Sequence, residues 1–350
     1  MNFHTKLILP SKTSALGKLN RFLKRKEFDG ARFFILLDEN TYSHCFATLV
    51  QNVSALEESE FLEVPIGEEA KSLEIAAQLW QTLMESGADR NSVLVNLGGG
   101  SICDLGGFVA AAYKRGIRYV NVPTTLLAMV DASVGGKTAV DFASVKNQIG
   151  FFHHPVATCI EPLFLQTTSE RDIMCGMAEM IKGQMLRGEW TRQSTPLTIE
   201  AIVDEVNFKM QVVQSDVKDH GIRKILNFGH TFGHAIESFS SHRESVMSHG
   251  ESVALGLWCE LYLSVRKLNL EKSILDDYQA VMQTMVSVPE YTLQDAVAML
   301  DTMRNDKKNA EGLILCVLLQ DLGVPVIDVP IATEEVIDAL MALQKLHALK

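Results

Sequence analysis

The chain has 350 residues, of which 47% are apolar, and its formal net charge is -11. A chain of this length is long for one hydrophobic core, so two domains are expected. The acidic charge argues against a general nucleic-acid binder, because binding through counterion release needs a basic surface. An anionic ligand would have to be bound by a local group of basic side chains.

The six cysteines lie far apart in the sequence and form no CxxC pair. Such spacing is typical of reduced, mostly buried thiols and argues against a disulfide framework or a zinc finger. The apolar run Leu7-Ile8-Leu9 ends at Pro10 and is too short for a signal-peptide core. No apolar run approaches the length of a membrane span. We therefore expect a cytoplasmic protein that binds neither membrane nor nucleic acid.

The first part of the chain alternates short apolar runs with helical patterns. Apolar runs at residues 32–37, 92–97 and 119–123 predict strands of a parallel sheet. Apolar residues at helical spacing predict a helix at 71–87, and a second helix is expected at 105–114. The segment from Asp131 to Gly150 shows little periodicity, and we expect it to be a long functional loop.

From about Thr167 the pattern becomes mostly helical. Ser169 is expected to cap a helix at residues 171–184, and further helices are predicted at 196–213, 225–240 and 251–268. A strand is predicted at 313–319. The expected fold is therefore α/β, with a Rossmann-like nucleotide-binding domain at residues 1–166 and a mostly α-helical domain at residues 167–350.

A glycine turn between a predicted strand and a predicted helix is the layout of a dinucleotide site. Bare backbone at Gly98, Gly99 and Gly100 would let a pyrophosphate approach amides at the helix N-terminus. Cys103 stands where the third glycine of the GxGxxG fingerprint would be, so a plain tight turn is an equally good interpretation of this motif alone.

A second glycine-rich segment, Gly135-Gly136-Lys137-Thr138, ends like a Walker A loop. The first glycine of that pattern would fall at Asp131, and no predicted strand leads directly into the loop. We therefore reject an NTPase phosphate-binding loop.

Histidines are concentrated in one region, because five of the ten lie between His220 and His249. His230 and His234 are four residues apart on a predicted helix, so their rings should face the same side. Glu179, His230 and His249 could form a catalytic metal site that leaves positions open for substrate. Polar surface remains the alternative for the histidine pair, and an ion pair with Lys182 remains the alternative for Glu179.

Taken jointly and in order, the motifs resemble those of the 3-dehydroquinate synthase family from about Asp38 to Asn309. The matching segments are Gly98 to Asp104, Arg115 to Tyr119, Pro123 to Leu127, Asp131 to Thr138, Lys146-Asn147, Ala178 to Lys182, Arg223 to Glu237 and His249 to Glu251. The resemblance implies an NAD-binding α/β domain followed by a mostly helical, metal-binding domain.

The resemblance also implies an activity. Members of this family convert 3-deoxy-D-arabino-heptulosonate 7-phosphate to 3-dehydroquinate and phosphate in the shikimate pathway. The implied steps are transient oxidation by NAD, phosphate elimination, reduction, ring opening and intramolecular aldol closure. NAD and one divalent metal, zinc or cobalt, are the implied cofactors, and a homodimer is the implied assembly.

Roles for individual residues follow from the matched motifs. The implied metal ligands are Glu179, His230 and His249, and the implied catalytic residues are His234, Asp219 and Asn227. The implied substrate-binding residues are Arg115, Asp131, Lys137, Lys182, Lys209, Arg223, Lys307 and Lys308. The implied NAD-binding residues are Asp38, Asn40, Glu68, Lys71, Gly98, Gly99, Gly100, Asp104, Thr124, Thr125, Lys146, Asn147 and Thr167.

The chain departs from the family pattern at two positions. Asp219 stands where the family usually has Glu, so a carboxylate is kept but is one methylene shorter. Cys175 replaces a small polar residue, and we expect little effect.

Three alternative functions remain open. Another NAD-dependent sugar-phosphate cyclase would share the metal and NAD motifs but differ at the carboxylate-binding residues, where Lys209 and Arg223 favour the heptulosonate phosphate. A metal-dependent polyol dehydrogenase would release NADH at every turnover. A catalytically inactive relative could act as a binding module, although all three metal-ligand positions are filled.

Overall fold

The computed structural model describes residues 5–11, 14–143, 145–193, 197–241, 243, 246–304 and 314–347. The chain divides into two compact units. The first comprises Met1–Ile173 and Thr198–Met210, and the second comprises Met174–Leu197 and Gln211–Lys350.

This division differs from the predicted one at 166/167, because Thr198–Met210 belong to the sheet-containing unit. The assignment of NAD binding to residues 1–166, and of metal and substrate binding to residues 167–350, stays a prediction.

The described part of the first unit contains eight strands. They are β1 (Lys6–Ile8), β2 (Phe33–Asp38), β3 (Glu60–Val64), β4 (Val93–Gly98), β5 (Arg118–Pro123), β6 (Lys137–Phe142), β7 (Val145–Phe152) and β8 (Ala157–Cys159). Six of them form one parallel sheet in the order β1-β8-β5-β4-β2-β3. Residues Phe34 to Leu37 of β2 are all at most 1% exposed, which explains their continuous apolar run. The three predicted strands and the parallel sheet are confirmed.

The direction in which the sheet grows reverses between β2 and β4. The chain passes from β2 to its neighbour β3, then returns to β4 on the other side of β2 and continues to β5. Ligands of open α/β sheets bind at such a switch point, outside the carboxyl ends of the strands. Here those ends carry Asp38 on β2 and Gly98 on β4.

Helices connect these strands and continue into the second unit. Those of the first unit are α1 (Ala15–Leu23), α2 (Glu39–Thr41), α3 (Ala47–Asn52), α4 (Leu73–Glu85) and α5 (Gly100–Ala112). The boundary between the units falls inside α6 (Glu170–Arg187) and inside α7 (Ile199–Ser215). The Oγ of Ser169 accepts a hydrogen bond from the Asp172 amide at 3.1 Å, so the predicted cap of α6 is confirmed.

The glycine turn leads from β4 directly into α5, as predicted. Gly99 is the residue before the helix. In the dinucleotide fingerprint the third glycine allows the close contact between helix and sheet, whereas in this chain Gly106 and Gly107, further along α5, allow it. A side chain on Gly106 would overlap Asn96 of β4, and one on Gly107 would overlap Thr138. Cys103 can therefore occupy the third-glycine position without keeping α5 away from the sheet.

The prediction of a long loop from Asp131 to Gly150 is wrong. Strands β6 and β7 pair antiparallel within it, with Thr138 opposite Phe151 and Val140 opposite Ile149. Period-two alternation is weak here because β7 is largely exposed, so its sequence lacks the apolar side that marks a half-buried strand.

The described part of the second unit is mostly helical, as predicted. Its further elements are α8 (His230–Ser240), α9 (His249–Leu268), α10 (Lys272–Met285), α11 (Leu293–Arg304), β9 (Ile314–Asp321), β10 (Val324–Ile331) and α12 (Thr333–Gln344). Helix α9 is buried along most of its length and contacts α8, α10, α12 and β9. It is the central helix of this unit, and β9 pairs with β10 in an antiparallel hairpin.

The helix predicted at residues 225–240 is shorter than expected. A 3₁₀ turn covers Ile222–Asn227, and Gly229 adopts a left-handed conformation with φ of 82° before α8 begins at His230. His230 is therefore the first residue of its helix.

Two further observations concern the cysteines and the apolar character of the helices. All six cysteines are buried and none forms a disulfide. No helix among the described residues is long and apolar enough to cross a membrane.

The contact of α5 with the sheet gives a stability prediction. Gly106→Ala would push a methyl group into Asn96, whose Nδ2 donates a buried 2.9 Å hydrogen bond to Asn121. We expect a loss of about 1–3 kcal/mol in the free energy of unfolding, as for other overpacked cores. The control is Gly17→Ala in α1, where no atom lies within 4 Å and Ala should stabilise the helix slightly. Urea unfolding measures both, and equal stability of the two variants would contradict the prediction.

Candidate functional site

Glu179 is a buried carboxylate in the middle of α6. The residue is 2% exposed, and neither carboxylate oxygen has a hydrogen bond of good geometry. An ion pair with Lys182, one turn further along the helix, partly compensates the charge, and the Lys182 ammonium also donates to the Leu226 carbonyl at 2.7 Å. Burying a carboxylate is costly unless cations or donors face it. The predicted ion-pair alternative is thus present, and it leaves one side of Glu179 to other partners.

His230 faces the other side of Glu179. Its Nε2 lies 3.5 Å from Glu179 Oε1, and its Nδ1 lies 3.2 Å from the carbonyl oxygen of Phe228. Glu260 of α9 fixes the turn before His230, because it accepts a 2.6 Å hydrogen bond from the Gly229 amide. Glu260 is fully buried, so the first turn of α8 is fixed from inside the unit.

His249 is placed by the beginning of α9. Ser248 and Glu251 form a capping box, in which Glu251 accepts a 2.6 Å hydrogen bond from the Ser248 amide. Next to it, the Gly250 amide donates to Cys175 Sγ at 3.1 Å, and a side chain on Gly250 would overlap the Cys175 backbone. This close approach of α9 to α6 brings His249 Nε2 to 3.8 Å from Glu179 Oε1.

Together these three residues form a group that could hold a metal ion. One oxygen of Glu179 and one nitrogen each of His230 and His249 lie within 4.8 Å of one another. One carboxylate with two imidazoles is a ligand set found at catalytic zinc, where a further position stays open. A buried carboxylate oxygen without a hydrogen bond is the electrostatic feature that a cation would complete.

His234 lies beside this group but is not part of it. Its ring centroid is 5.3 Å from that of His230 and 5.9 Å from that of His249, so the two helix histidines do face the same side. The side chain is exposed, whereas His230 and His249 are partly buried. An exposed imidazole next to a buried ligand group can exchange protons with solvent or with a bound molecule.

The loop that carries Asp219 and Arg223 is organised by Asp216. Asp216 accepts hydrogen bonds from the amides of His220 at 3.1 Å, Gly221 at 2.6 Å and Arg223 at 3.1 Å. These amide bonds, that of Gly221 first, lower the pKa of the Asp216 carboxyl. Asp219 has a left-handed backbone with φ of 62°, and Arg223 donates to the Val217 carbonyl at 2.8 Å. The loop leads into the 3₁₀ turn that contains Asn227.

A second polar group lies in the first unit. The ammonium of buried Lys71 lies 3.1 Å from Asp104, 2.8 Å from Asn147 and 3.7 Å from Glu68. Burial by itself lowers the pKa of Lys71, but the carboxylates of Asp104, Glu68 and Asp141 outweigh it and raise the pKa, so the ammonium stays charged. Four residues predicted for NAD are thereby brought together.

Asp131 and Lys209 form a third pair, also within the first unit. The Lys209 ammonium donates to the Asp131 carboxylate and to its backbone carbonyl, both at 2.5 Å. Lys209 is 8% exposed. The end of α7 is thus attached to the segment that follows β5.

The remaining predicted residues occupy varied positions. Asp38 is buried and caps α2, accepting from the Thr41 amide at 2.8 Å, and the Thr124 amide donates to the Gly98 carbonyl at 3.0 Å. Thr125 is half-buried, and the exposed residues are Asn40, Arg115, Lys137, Lys146 and Thr167. Lys307 and Lys308 lie outside the described residues.

Two family models cover residues 61–309, which include all of the predicted site residues except Asp38 and Asn40. The model described as 3-dehydroquinate synthase N-terminal matches residues 61–175, and the model described as 3-dehydroquinate synthase C-terminal matches residues 176–309. The chain belongs to the 3-dehydroquinate synthase family. A 3-dehydroquinate synthase of Parabacteroides distasonis is 38% identical over 334 residues, covering 93% of this chain and 94% of that protein. The resemblance seen in the sequence is confirmed.

Two solved structures of other synthases share the fold. A 2-deoxy-scyllo-inosose synthase, complexed with carbaglucose-6-phosphate, NAD+ and Co2+, superposes with a TM-score of 0.81 at 20% identity, covering 97% of this chain and 96% of that chain. A 2-epi-5-epi-valiolone synthase from Streptomyces hygroscopicus subsp. jinggangensis, with NAD+ and Zn2+ bound, has a TM-score of 0.79 at 24% identity, covering 99% and 98%. These likenesses confirm the fold predicted for this family member.

Sequence reasoning missed four carboxylates around the site residues of this family member. Glu237 and Glu260 contact the histidine helices, Asp216 organises the Asp219 loop, and Asp141 accepts a 2.8 Å hydrogen bond from the Asn147 amide. Only Glu237 had a visible signal, because it lies seven residues after His230 and so on the same side of α8.

The geometry separates two roles for histidine. In His249→Ala, one of the three grouped ligand atoms is lost, so we expect the purified protein to lose its bound metal. In His234→Ala the grouped atoms all remain, so bound metal should stay at the level of the unchanged chain. Metal analysis by mass spectrometry after dialysis measures both, and equal loss in the two variants would add His234 to the ligand set.

Proposed function

We propose that this chain is a 3-dehydroquinate synthase that uses NAD and one divalent metal, zinc or cobalt. The substrate would be 3-deoxy-D-arabino-heptulosonate 7-phosphate, and the products 3-dehydroquinate and phosphate in the shikimate pathway. The observation that carries the proposal is the grouping of Glu179, His230 and His249 in a chain of this family. A homodimer, suggested by the family, and a cytoplasmic location, suggested by the reduced cysteines, belong to the same proposal.

The proposed metal ligands are Glu179, His230 and His249. Their donor set suits a catalytic divalent ion, and the negative charge buried on Glu179 supplies a reason for one to bind there. A metal held by these residues would supply polarisation of a substrate oxygen, and bound NAD would supply a hydride acceptor and donor.

The proposed NAD site lies at the switch point of the sheet. Gly98, Gly99 and Gly100 bring bare backbone to the N-terminus of α5, where a pyrophosphate is favoured. Glu68, Lys71, Asp104 and Asn147 form the adjacent polar group, and Asp38, Asn40, Thr124, Thr125, Lys146 and Thr167 complete the proposed set. The charged ammonium of buried Lys71 is a hydrogen-bond donor for the proposed ligand, although its charge is already paired with carboxylates.

His234 is the proposed acid–base residue, with Asn227 and Asp219 as catalytic partners. The exposed ring of His234, one helical turn from His230, can take and return a hydroxyl proton without serving as a ligand. In the second unit, Lys182 and Arg223 are proposed to bind substrate anions. In the first unit Arg115, Lys137 and Lys209 are proposed to take that role, and the carboxylate of Asp131 is proposed as a further substrate-binding group. Lys307 and Lys308 are proposed on the sequence alone.

Phosphate release tests the function directly. We expect the full-length protein, with zinc or cobalt and with NAD far below the substrate concentration, to release phosphate from the heptulosonate phosphate over many turnovers. NADH should not accumulate, because the hydride returns within each turnover. The assay measures phosphate colorimetrically and NADH by absorbance.

The alternatives give different results in the same assay. A related cyclase would release phosphate from sedoheptulose 7-phosphate or glucose 6-phosphate instead. A polyol dehydrogenase would accumulate NADH one for one with product, and an inactive binding module would bind substrate without releasing phosphate. Any of these results would overturn the proposed substrate or reaction.

Asp219 provides a separate prediction about the shorter carboxylate. Its left-handed backbone is a conformation that Asp and Asn adopt more readily than most residues. Asp219→Asn keeps that fit and removes the charge, so kcat/KM should fall by about 10²-fold if the carboxylate takes part in proton transfer. Asp219→Glu should keep or raise turnover if the length of the side chain is limiting. Steady-state kinetics distinguishes them, and full activity of the Asn variant would remove Asp219 from the catalytic set.

A further inference from the structure

A carboxylate outside the proposed ligand set lies against one of the ligands. Glu237 Oε2 is 3.1 Å from His249 Nδ1, and the Glu237 side chain is 11% exposed. The other nitrogen of the same ring, Nε2, faces Glu179 Oε1 at 3.8 Å. The His249 ring therefore has a carboxylate at each of its two nitrogens.

His230 has the same arrangement with a backbone partner. Its Nδ1 faces the Phe228 carbonyl oxygen at 3.2 Å, and its Nε2 faces Glu179 at 3.5 Å. A carbonyl oxygen only accepts hydrogen bonds, so in the neutral ring Nδ1 carries the proton and Nε2 keeps its lone pair. An ionised carboxylate also only accepts, and at His249 only Glu237, 3.1 Å from Nδ1, is within hydrogen-bond distance, so it favours the same tautomer.

We infer that Glu237 is a positioning residue, which holds His249 with Nε2 directed toward the metal position. The inference rests on the proposed metal centre. A hydrogen-bonded carboxylate on the distal nitrogen of a ligating imidazole fixes both the tautomer and the orientation of the ring. His249 needs such a partner because it is the most exposed of the three proposed ligands, with 29% of its side chain accessible against 12% for His230.

The position of Glu237 on α8 gives this helix three roles. His230, His234 and Glu237 follow one another at intervals of four and three residues, and so share one face of the helix. That face supplies a ligand, the proposed proton carrier and the residue that holds the ligand donated by α9. Tight packing of α8 on α9 at Gly233 and Gly256 keeps this face in register with His249.

Metal affinity of the metal-stripped, full-length protein is the first readout. Competition with a chromophoric chelator gives the dissociation constants of zinc and cobalt for the unchanged chain, Glu237→Ala and Glu237→Gln. We expect Glu237→Ala to bind about 10- to 100-fold more weakly. Glu237→Gln keeps an acceptor oxygen and should recover part of that loss. The control is Glu335→Gln in the same unit, which removes a carboxylate paired with Lys267 and should leave the affinity unchanged.

The second readout is the tautomer of the His249 ring. If Glu237 only stabilised the fold, its substitution would leave this tautomer unchanged. In nitrogen-15 NMR spectra of the metal-free protein, recorded at a pH high enough for the ring to be neutral, His249 should carry its proton on Nδ1 in the unchanged chain. The proton should shift toward Nε2 in Glu237→Ala.

The outcomes separate this inference from the proposed function. If the unchanged chain binds metal and Glu237→Ala binds it equally well, the positioning role is wrong while the metal centre stands. If the unchanged chain binds no zinc or cobalt, both are overturned. Weaker binding with an unchanged tautomer would also overturn the inference, because the effect would then come from general loss of structure.

Discussion

The second unit depends on one constraint, which is the burial of the Glu179 carboxylate within α6. A charged group at 2% exposure needs cations around it. Lys182 supplies one from the same helix, and His230 at the start of α8 and His249 at the start of α9 bring their Nε2 atoms to 3.5 Å and 3.8 Å from Glu179 Oε1, where a shared metal ion would supply another. The proposed metal would be the strongest of these partners. The free-energy cost of burying the Glu179 carboxylate would therefore be fully offset only when the metal is bound.

Packing holds the two histidines where this constraint requires them. Gly250 lets the first turn of α9 approach the backbone of Cys175 in α6, and Glu260 fixes the turn before His230 through the Gly229 amide. Because α9 is the central helix of the unit, a change at its start would reach α8 as well. In the first unit, buried Lys71 is likewise compensated by charged partners, the carboxylates of Asp104, Glu68 and Asp141.

The sequence predicts the elements in which buried residues follow a regular pattern. Strands such as β2, buried on both faces, appear as continuous apolar runs, and the amphipathic pattern of α4 marks its helix. The hairpin of β6 and β7 escapes this reasoning because its exposed strands have no apolar side, and only their pairing reveals them. The start of α8 at His230 also depends on a left-handed Gly229 and on Glu260, which lies thirty-one residues further along the chain.

The candidate site likewise contains residues that the sequence predicts and residues that it does not predict. Glu179, His230 and His249 were found from residue type, spacing and family motifs, and the structure brings them together. The carboxylates that hold them were not found, because Glu237 and Glu260 contact their partners through tertiary packing between α8 and α9. Glu237 lies inside the matched segment Arg223 to Glu237, but its partner His249 lies on another helix, so its orienting role is visible only in the fold.

X-ray absorption spectroscopy of the zinc-loaded, full-length protein tests the central claim most directly. The account predicts one zinc per chain, with two imidazole nitrogens and a carboxylate oxygen at about 2.0–2.2 Å and the remaining positions filled by solvent oxygen. A spectrum with three imidazoles, with sulfur from Cys175, or with only solvent oxygens around the zinc would contradict the assignment of Glu179, His230 and His249.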